Sequence, residues 1–260
     1  MSFSANRWAA VTAASCLLGG APVPLAAQGR LAVSVGGLRV VGPGIGESGS
    51  EQRPFNESTG TTIVLMVKAP KGTGIVDLDN DGSVIDTVSD DKGTNLLEDA
   101  SFGSFPEVVK DGSAGLIELK LGARPGAGAS TVAAEGSLNV TTATGTKPVK
   151  ATSVALVEGK TFKVGRIPVT VGKVEASEDS ISVTLNLPRA ALKTIKAMKF
   201  LDAKGGEIES DRRGSGYFNE TGELDYQLKT TSKTVTVSCD VWQGLKSDKL
   251  PFKITAGLGL

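Results

Sequence analysis

Three carboxylates at alternate positions open the most chemically suggestive stretch of this sequence. Asp77-Leu-Asp79-Asn-Asp81-Gly82-Ser-Val-Ile-Asp86 has the front half of an EF-hand calcium loop. Calcium takes several hard oxygens at flexible geometry, and a glycine after the third acid lets such a loop turn sharply. The twelfth position is Val88, where an EF-hand needs a bidentate Glu, and no helical pattern flanks the segment. Asp77, Asp79, Asp81 and Asp86 therefore stand as candidate ligands of a calcium turn of another kind. The same residues suit a solvated acidic hairpin tip, because Asp, Asn and Gly are turn formers in their own right.

Other chemistries are scarcer. The chain contains no histidine. That excludes Ser-His-Asp and Cys-His nucleophile systems in their usual form and removes the commonest zinc and copper ligand. The cysteines are Cys16 and Cys239. Cys239 lies in an alternating run and shares a face with Val235, Val237 and Val241, so it is expected as a small buried apolar residue. A reactive thiol needs an electropositive, partly exposed setting instead. Paired-carboxylate and Ser-Lys hydrolases survive in principle, but no local pattern marks a pair. Sugar-binding sandwiches stack ligands on aromatics, and this chain offers Trp242, Tyr217 and Tyr226 beyond its amino terminus. Trp242 is expected to pack, with an exposed contact as the alternative. Calcium is the sole cofactor these patterns suggest.

The residues that position this chemistry must be strands. Apolar and polar residues alternate strictly in run after run, which means one buried and one wet face, as in antiparallel sheets. The runs are separated by Asp91-Lys-Gly93, Lys110-Asp-Gly112, Ala143-Thr-Gly145 and Ala203-Lys-Gly205, which read as tight turns. Many short strands at such spacing predict a sandwich or barrel. Pro188–Ile195 is expected to make one or two helical turns, and residues 42–62 and 101–106 to be irregular loops.

The chain also resembles itself. Leu31–Leu38 matches Ile167–Val174, Ile63–Val67 matches Val183–Leu187, and Ile85–Leu96 matches Ala197–Ile208. Leu116–Leu121 matches Leu224–Leu228, and Thr131–Val149 aligns without a gap on Thr234–Phe252. Five matches in one order predict a duplication with shorter loops in the second copy. A boundary is expected near Val157–Lys160. This gives a leader over 1–27, a first β-sandwich domain over 28–157 and a second over 158–260.

Asp90-Asp-Lys-Gly93 paired with Asp202-Ala-Lys-Gly205, together with Phe102-Gly-Ser-Phe-Pro106, resembles tandem immunoglobulin-like domains of secreted bacterial proteins of unknown function. The resemblance covers most of the chain after the leader. It implies two tandem Ig-like antiparallel β-sandwiches and no particular activity. There is no Cys…Trp…Cys set, and Val237 stands where a tyrosine corner would place Tyr.

Location and partners follow from charge and from the amino terminus. Arg7, the apolar run Trp8–Leu18 and the small-residue stretch Leu25-Ala-Ala27 before Gln28 read as a secretory signal peptide cut after Ala27. The run is too short to span a bilayer, which takes roughly 20 apolar residues. Cys16 raises lipidation as an alternative, although Ala13 stands where a lipoprotein signal prefers Leu. Lys+Arg and Asp+Glu are both 28, so no net field draws the chain to nucleic acid or to an anionic membrane. The expected product is a non-catalytic module, periplasmic, cell-surface or secreted, with an envelope or extracellular protein or glycan as partner. A calcium-stabilised adhesive or carbohydrate-binding module is the alternative.

Overall fold

The computed structural model describes residues 29–44, 53 and 57–259. The expected leader over 1–27, with Cys16, lies outside the described residues. In chain order the strands begin with β1 (Ala32–Val41), β2 (Gly60–Lys68), β3 (Gly74–Asp90), β4 (Ser101–Phe102) and β5 (Glu107–Val108). There follow β6 (Ala114–Leu121), β7 (Thr131–Ala143), β8 (Gly145–Ala155), β9 (Thr161–Val164), β10 (Ile167–Ala176) and β11 (Ile181–Pro188). After the one-turn helix α1 (Arg189–Leu192) come β12 (Ile195–Leu201), β13 (Glu207–Ile208), β14 (Ser210–Phe218), β15 (Thr221–Leu228), β16 (Thr234–Gln243) and β17 (Lys246–Gly257). The helix falls inside the predicted Pro188–Ile195 segment. The two segments read as loops contain the two-residue β4 and the first three residues of β2.

The architecture is all-β, with antiparallel sheets facing each other across apolar cores. One sheet runs β1-β2-β6-β4, with β5 also on β6, and it faces the sheet β17-β7-β3. Ile63, Leu65 and Leu119 from the first meet Ile75, Leu138 and Phe252 from the second. Another sheet runs β14-β15-β11-β10-β9 and faces β13-β12-β16-β8. There Val183, Leu185 and Leu228 meet Phe200, Val237 and Cys239. Period-two alternation puts these side chains on one face of each strand, and each large one fully buried contributes ~1.5–3 kcal/mol.

The predicted partition at 157/158 does not describe these cores. Strands β7 and β8 form a single antiparallel ribbon with β17 and β16. Thr131 lies opposite Gly257, Thr142 opposite Lys246, Gly145 opposite Gln243 and Val149 opposite Cys239. The Thr144 N–H donates to the Gln243 carbonyl at 3.0 Å and carries the ladder across the joint. So β8 completes a sheet of the second core, and β17, from the end of the chain, completes a sheet of the first.

The predicted Ala143-Thr-Gly145 turn is therefore a crossing. A two-residue type I′ hairpin needs positive φ at both central residues. Neither Thr144 nor Gly145 has it, and at the facing joint Gly244 does, at φ 63°. The chain stays extended on one side and kinks on the other, and both strands pass from one core to the next.

The pairing order occurs twice. β1-β2-β6 is mirrored by β10-β11-β15, and β3-β7-β17 by β12-β16-β8. β1 slips register between Val35 and Gly37, and β10 slips between Val171 and Val174, at aligned positions. The Asp90 and Asp202 turns also match. In each the carboxylate accepts the N–H two and four residues on, at 2.8–2.9 Å, and the glycine three residues on has φ 84°.

Candidate functional site

The acidic segment lies in the body of β3, not at a hairpin tip. Between Asp79 and Val84 the register jumps: Asp79 pairs Asn139 and Val84 pairs Ser137, so residues 80–83 bulge opposite Leu138. Asn139 closes the bulge. Its side-chain amide donates to Asp79 Oδ2 at 3.0 Å and its backbone N–H donates to Ser83 Oγ at 2.9 Å. Ser83 Oγ in turn donates to the Asp79 carbonyl at 2.7 Å.

The four predicted ligands are not brought together. Asp77 is paired with Lys193, Asp79 is held by Asn139, and Asp81 and Asp86 are exposed. Asp77 and Asp79 share one face of the strand, Asp81 sits in the bulge and Asp86 at the next register slip, between Ile85 and Thr87, so the four carboxylates do not converge on a point. Among the described residues no three His, Cys, Asp or Glu side chains are grouped as a metal site. This conformation does not fit a calcium ion.

What the segment does build is a junction between the two cores. Asp77 of β3 pairs with Lys193, just after α1. Three residues before Asp77, Gly74 lies against the Trp242 indole: a Cβ there would stand 2.8 Å from Cη2. Lys196 Nζ sits 4.5 Å from the Trp242 ring centroid. The Ser113 N–H and hydroxyl hold Asp111 below the usual carboxylate range, and the charge of Lys196 adds to the effect across the junction. Trp242 thus packs, as expected, but between the cores and not within one. Its backbone N–H donates to the Thr194 carbonyl at 2.9 Å.

Cys239 is buried, as its strand pattern predicts. Burial, and after it the neighbouring charge of Asp240, pushes its thiol up to about 12. It is no thiolate nucleophile at neutral pH. Tyr226 is also buried, edge-on to Phe200 with ring centroids 5.0 Å apart. Tyr217 is exposed, with the Arg189 guanidinium 3.8 Å above its ring centroid.

Beside Trp242 opens a cleft of about 430 Å³. Val149, Val164, Ile167 and Val241 give it an apolar lining. Lys147 from β8 and Arg166 from the Gly165–Arg166 turn between β9 and β10 add positive charge, and no carboxylate lines it. The turn presses on the exchanged strand: a Cβ on Gly165 would stand 3.1 Å from Val149 Cγ1. Sequence reasoning missed this cleft. Its walls come from segments far apart in the chain, and they meet only because β8 crosses to the second core.

No family model matches this chain, and no curated protein does either. Among solved structures it is compared with a chain from "Complete structure of manganese lipoxygenase of Gaeumannomyces graminis and partial structure of zonadhesin of Komagataella pastoris". The two are 11% identical over 76% of this chain and 90% of that one, with a TM-score of 0.14. A likeness that slight bears on neither fold nor activity. Among the described residues no helix is long and apolar enough to cross a membrane.

Proposed function

We propose that this chain is an exported, non-catalytic binding or structural module of the cell envelope or extracellular space, built from a duplicated unit. The ribbon carries the reading. Each core borrows a strand from the other half, so the two sandwiches hold their faces and loops in fixed relation, as a scaffold or binding body requires. The matched pairing orders, bulges and Asp turns support duplication. The lack of histidine and the buried, high-pKa Cys239 support a passive role. The Arg7, Trp8–Leu18 and Ala27 pattern supports export.

Fractionation of cells producing the full chain, with intact-mass analysis, tests this reading. The expected species begins at Gln28 and lies outside the cytoplasm. A cytoplasmic chain still carrying Arg7 and Trp8 overturns it.

A further inference from the structure

The two cations at the cleft beside Trp242 are left without a counter-charge. Lys147 and Arg166 have no ion-pair or hydrogen-bond partner among the described residues, and no Asp or Glu lines the space between them. Some exposed cations find acids, as Lys173 does with Glu175, Lys199 with Glu207, Lys229 with Glu209 and Lys253 with Glu135, and others such as Lys150 and Lys163 do not among the described residues; Lys147 and Arg166 are set apart because both line one apolar cleft. Lys196, on the Trp242 indole, adds a third positive charge next to the cleft.

We propose that this cleft binds a small organic carboxylate, its ring or apolar body against Val149, Val164, Ile167 and Val241 and its anionic end on Arg166 and Lys147. The proposal rests on the reading of the chain as a binding module and names a ligand class for it. Two features select the class. An apolar floor rewards a ligand with an apolar body, because burying that surface releases water at ~25 cal/mol per Å². A guanidinium presents a planar fork that matches a carboxylate with two parallel hydrogen bonds, and a lysine beside it adds a point charge. A neutral ligand would fill the floor and leave both cations unpaired. The volume lies within the range of small-molecule clefts, ~300–1,000 Å³.

The cleft also depends on the strand exchange. Lys147 and Val149 belong to β8, from the first half, whereas Arg166, Ile167 and Trp242 belong to the second. The aligned positions in the first half differ. Val241 and Trp242 correspond to Leu138 and Asn139, and Lys147 corresponds to Leu250. Among the described residues the site therefore occurs once.

Trp242 gives the experiment its readout, because the other tryptophan is Trp8. In a Trp8→Phe background, the full chain is titrated at low salt with benzoate, cyclohexanecarboxylate and glucuronate. Their neutral amides serve as controls, and both Trp242 emission and calorimetry are recorded. At least one carboxylate is expected to bind saturably while its amide does not. Charge-assisted contacts of this kind predict about tenfold weaker binding in Arg166→Gln or Lys147→Gln and a marked loss at high salt. Both residues are exposed, so the variants keep their fold, checked by thermal melting.

Three results overturn the proposal: no saturable response to any of the three acids, equal binding of acid and amide, or undiminished binding in the double variant. None of these touches the export reading, which stands or falls on the mature amino terminus.

Discussion

At Asp90 and Asp202 the two halves of the molecule make the same turn with different amounts of protein around it. Both carboxylates accept two backbone N–H groups of their own turn. Asp90 also accepts the Gly126 N–H at 2.7 Å and is buried, while Asp202 stays exposed. Its neighbour Asp91 takes the Ser130 N–H and hydroxyl, and these bonds lower its pKa from 3.8 to about 2. The longer loop of the first half folds over its turn, and the second half has no such loop. A turn is written locally, while its weight in the fold depends on what is packed onto it.

The cores differ in the same way. Phe200 in the second, fully buried against Tyr226, corresponds to Val88 in the first. Phe200→Ala is expected to lose about 3–5 kcal/mol in urea unfolding and Val88→Ala about 2 kcal/mol, because the larger deletion leaves the larger cavity. Equal losses would mean that the cores do not melt as separate environments. The ribbon that joins them can be locked. Thr141 Oγ1 and Ser247 Oγ lie 2.7 Å apart on an exposed face, so Thr141→Cys with Ser247→Cys should close within one chain. A bridge over 106 residues should stabilise by about 2–4 kcal/mol on loop-entropy grounds. If peptide mapping instead finds these cysteines unpaired in the monomer, the strands fold back as hairpins and the exchange is wrong.

Gly74→Ala drives a methyl into the Trp242 ring and is expected to cost about 1–3 kcal/mol by overpacking, with a shifted Trp242 emission. An unchanged spectrum would remove Trp242 from the junction. A smaller contrast lies in the turns. Asp90→Ala leaves the part-buried Gly126 N–H without its acceptor, so it should lower the melting midpoint further than Asp202→Ala.

Acid sharpens the same contrast. Burial alone would raise Asp90, but the Gly126, Thr94 and Lys92 amides bring its pKa below 3.8, and Asp91 falls to about 2. A depressed carboxylate contributes stability that is present above its unfolded pKa and lost as pH falls through its folded one. First-half stability should therefore decline from about pH 4 toward pH 2. Asp91→Asn should flatten that slope in urea melts at stepped pH. Calcium should have the least effect, leaving the melting midpoint unchanged, since Asp77 and Asp79 are already engaged. A rise of several degrees would show that the β3 bulge refolds around the ion.

Alternation by itself determined the strands, the buried face of each and the place of Cys239 in a core, because a period of two is a local property of extended backbone. Asp-x-x-Gly determined two turns, because the carboxylate and the left-handed glycine act within five residues. The sequence could not reveal which strand completes which sheet. Ala143-Thr-Gly145 is compatible with a hairpin or a crossing, and the choice is made by cross-strand partners some hundred residues away. The Asp77–Lys193 pair and the cationic cleft follow from that choice. They are properties of distance in space, and tertiary packing alone brings residues so far apart in the chain within reach of one another.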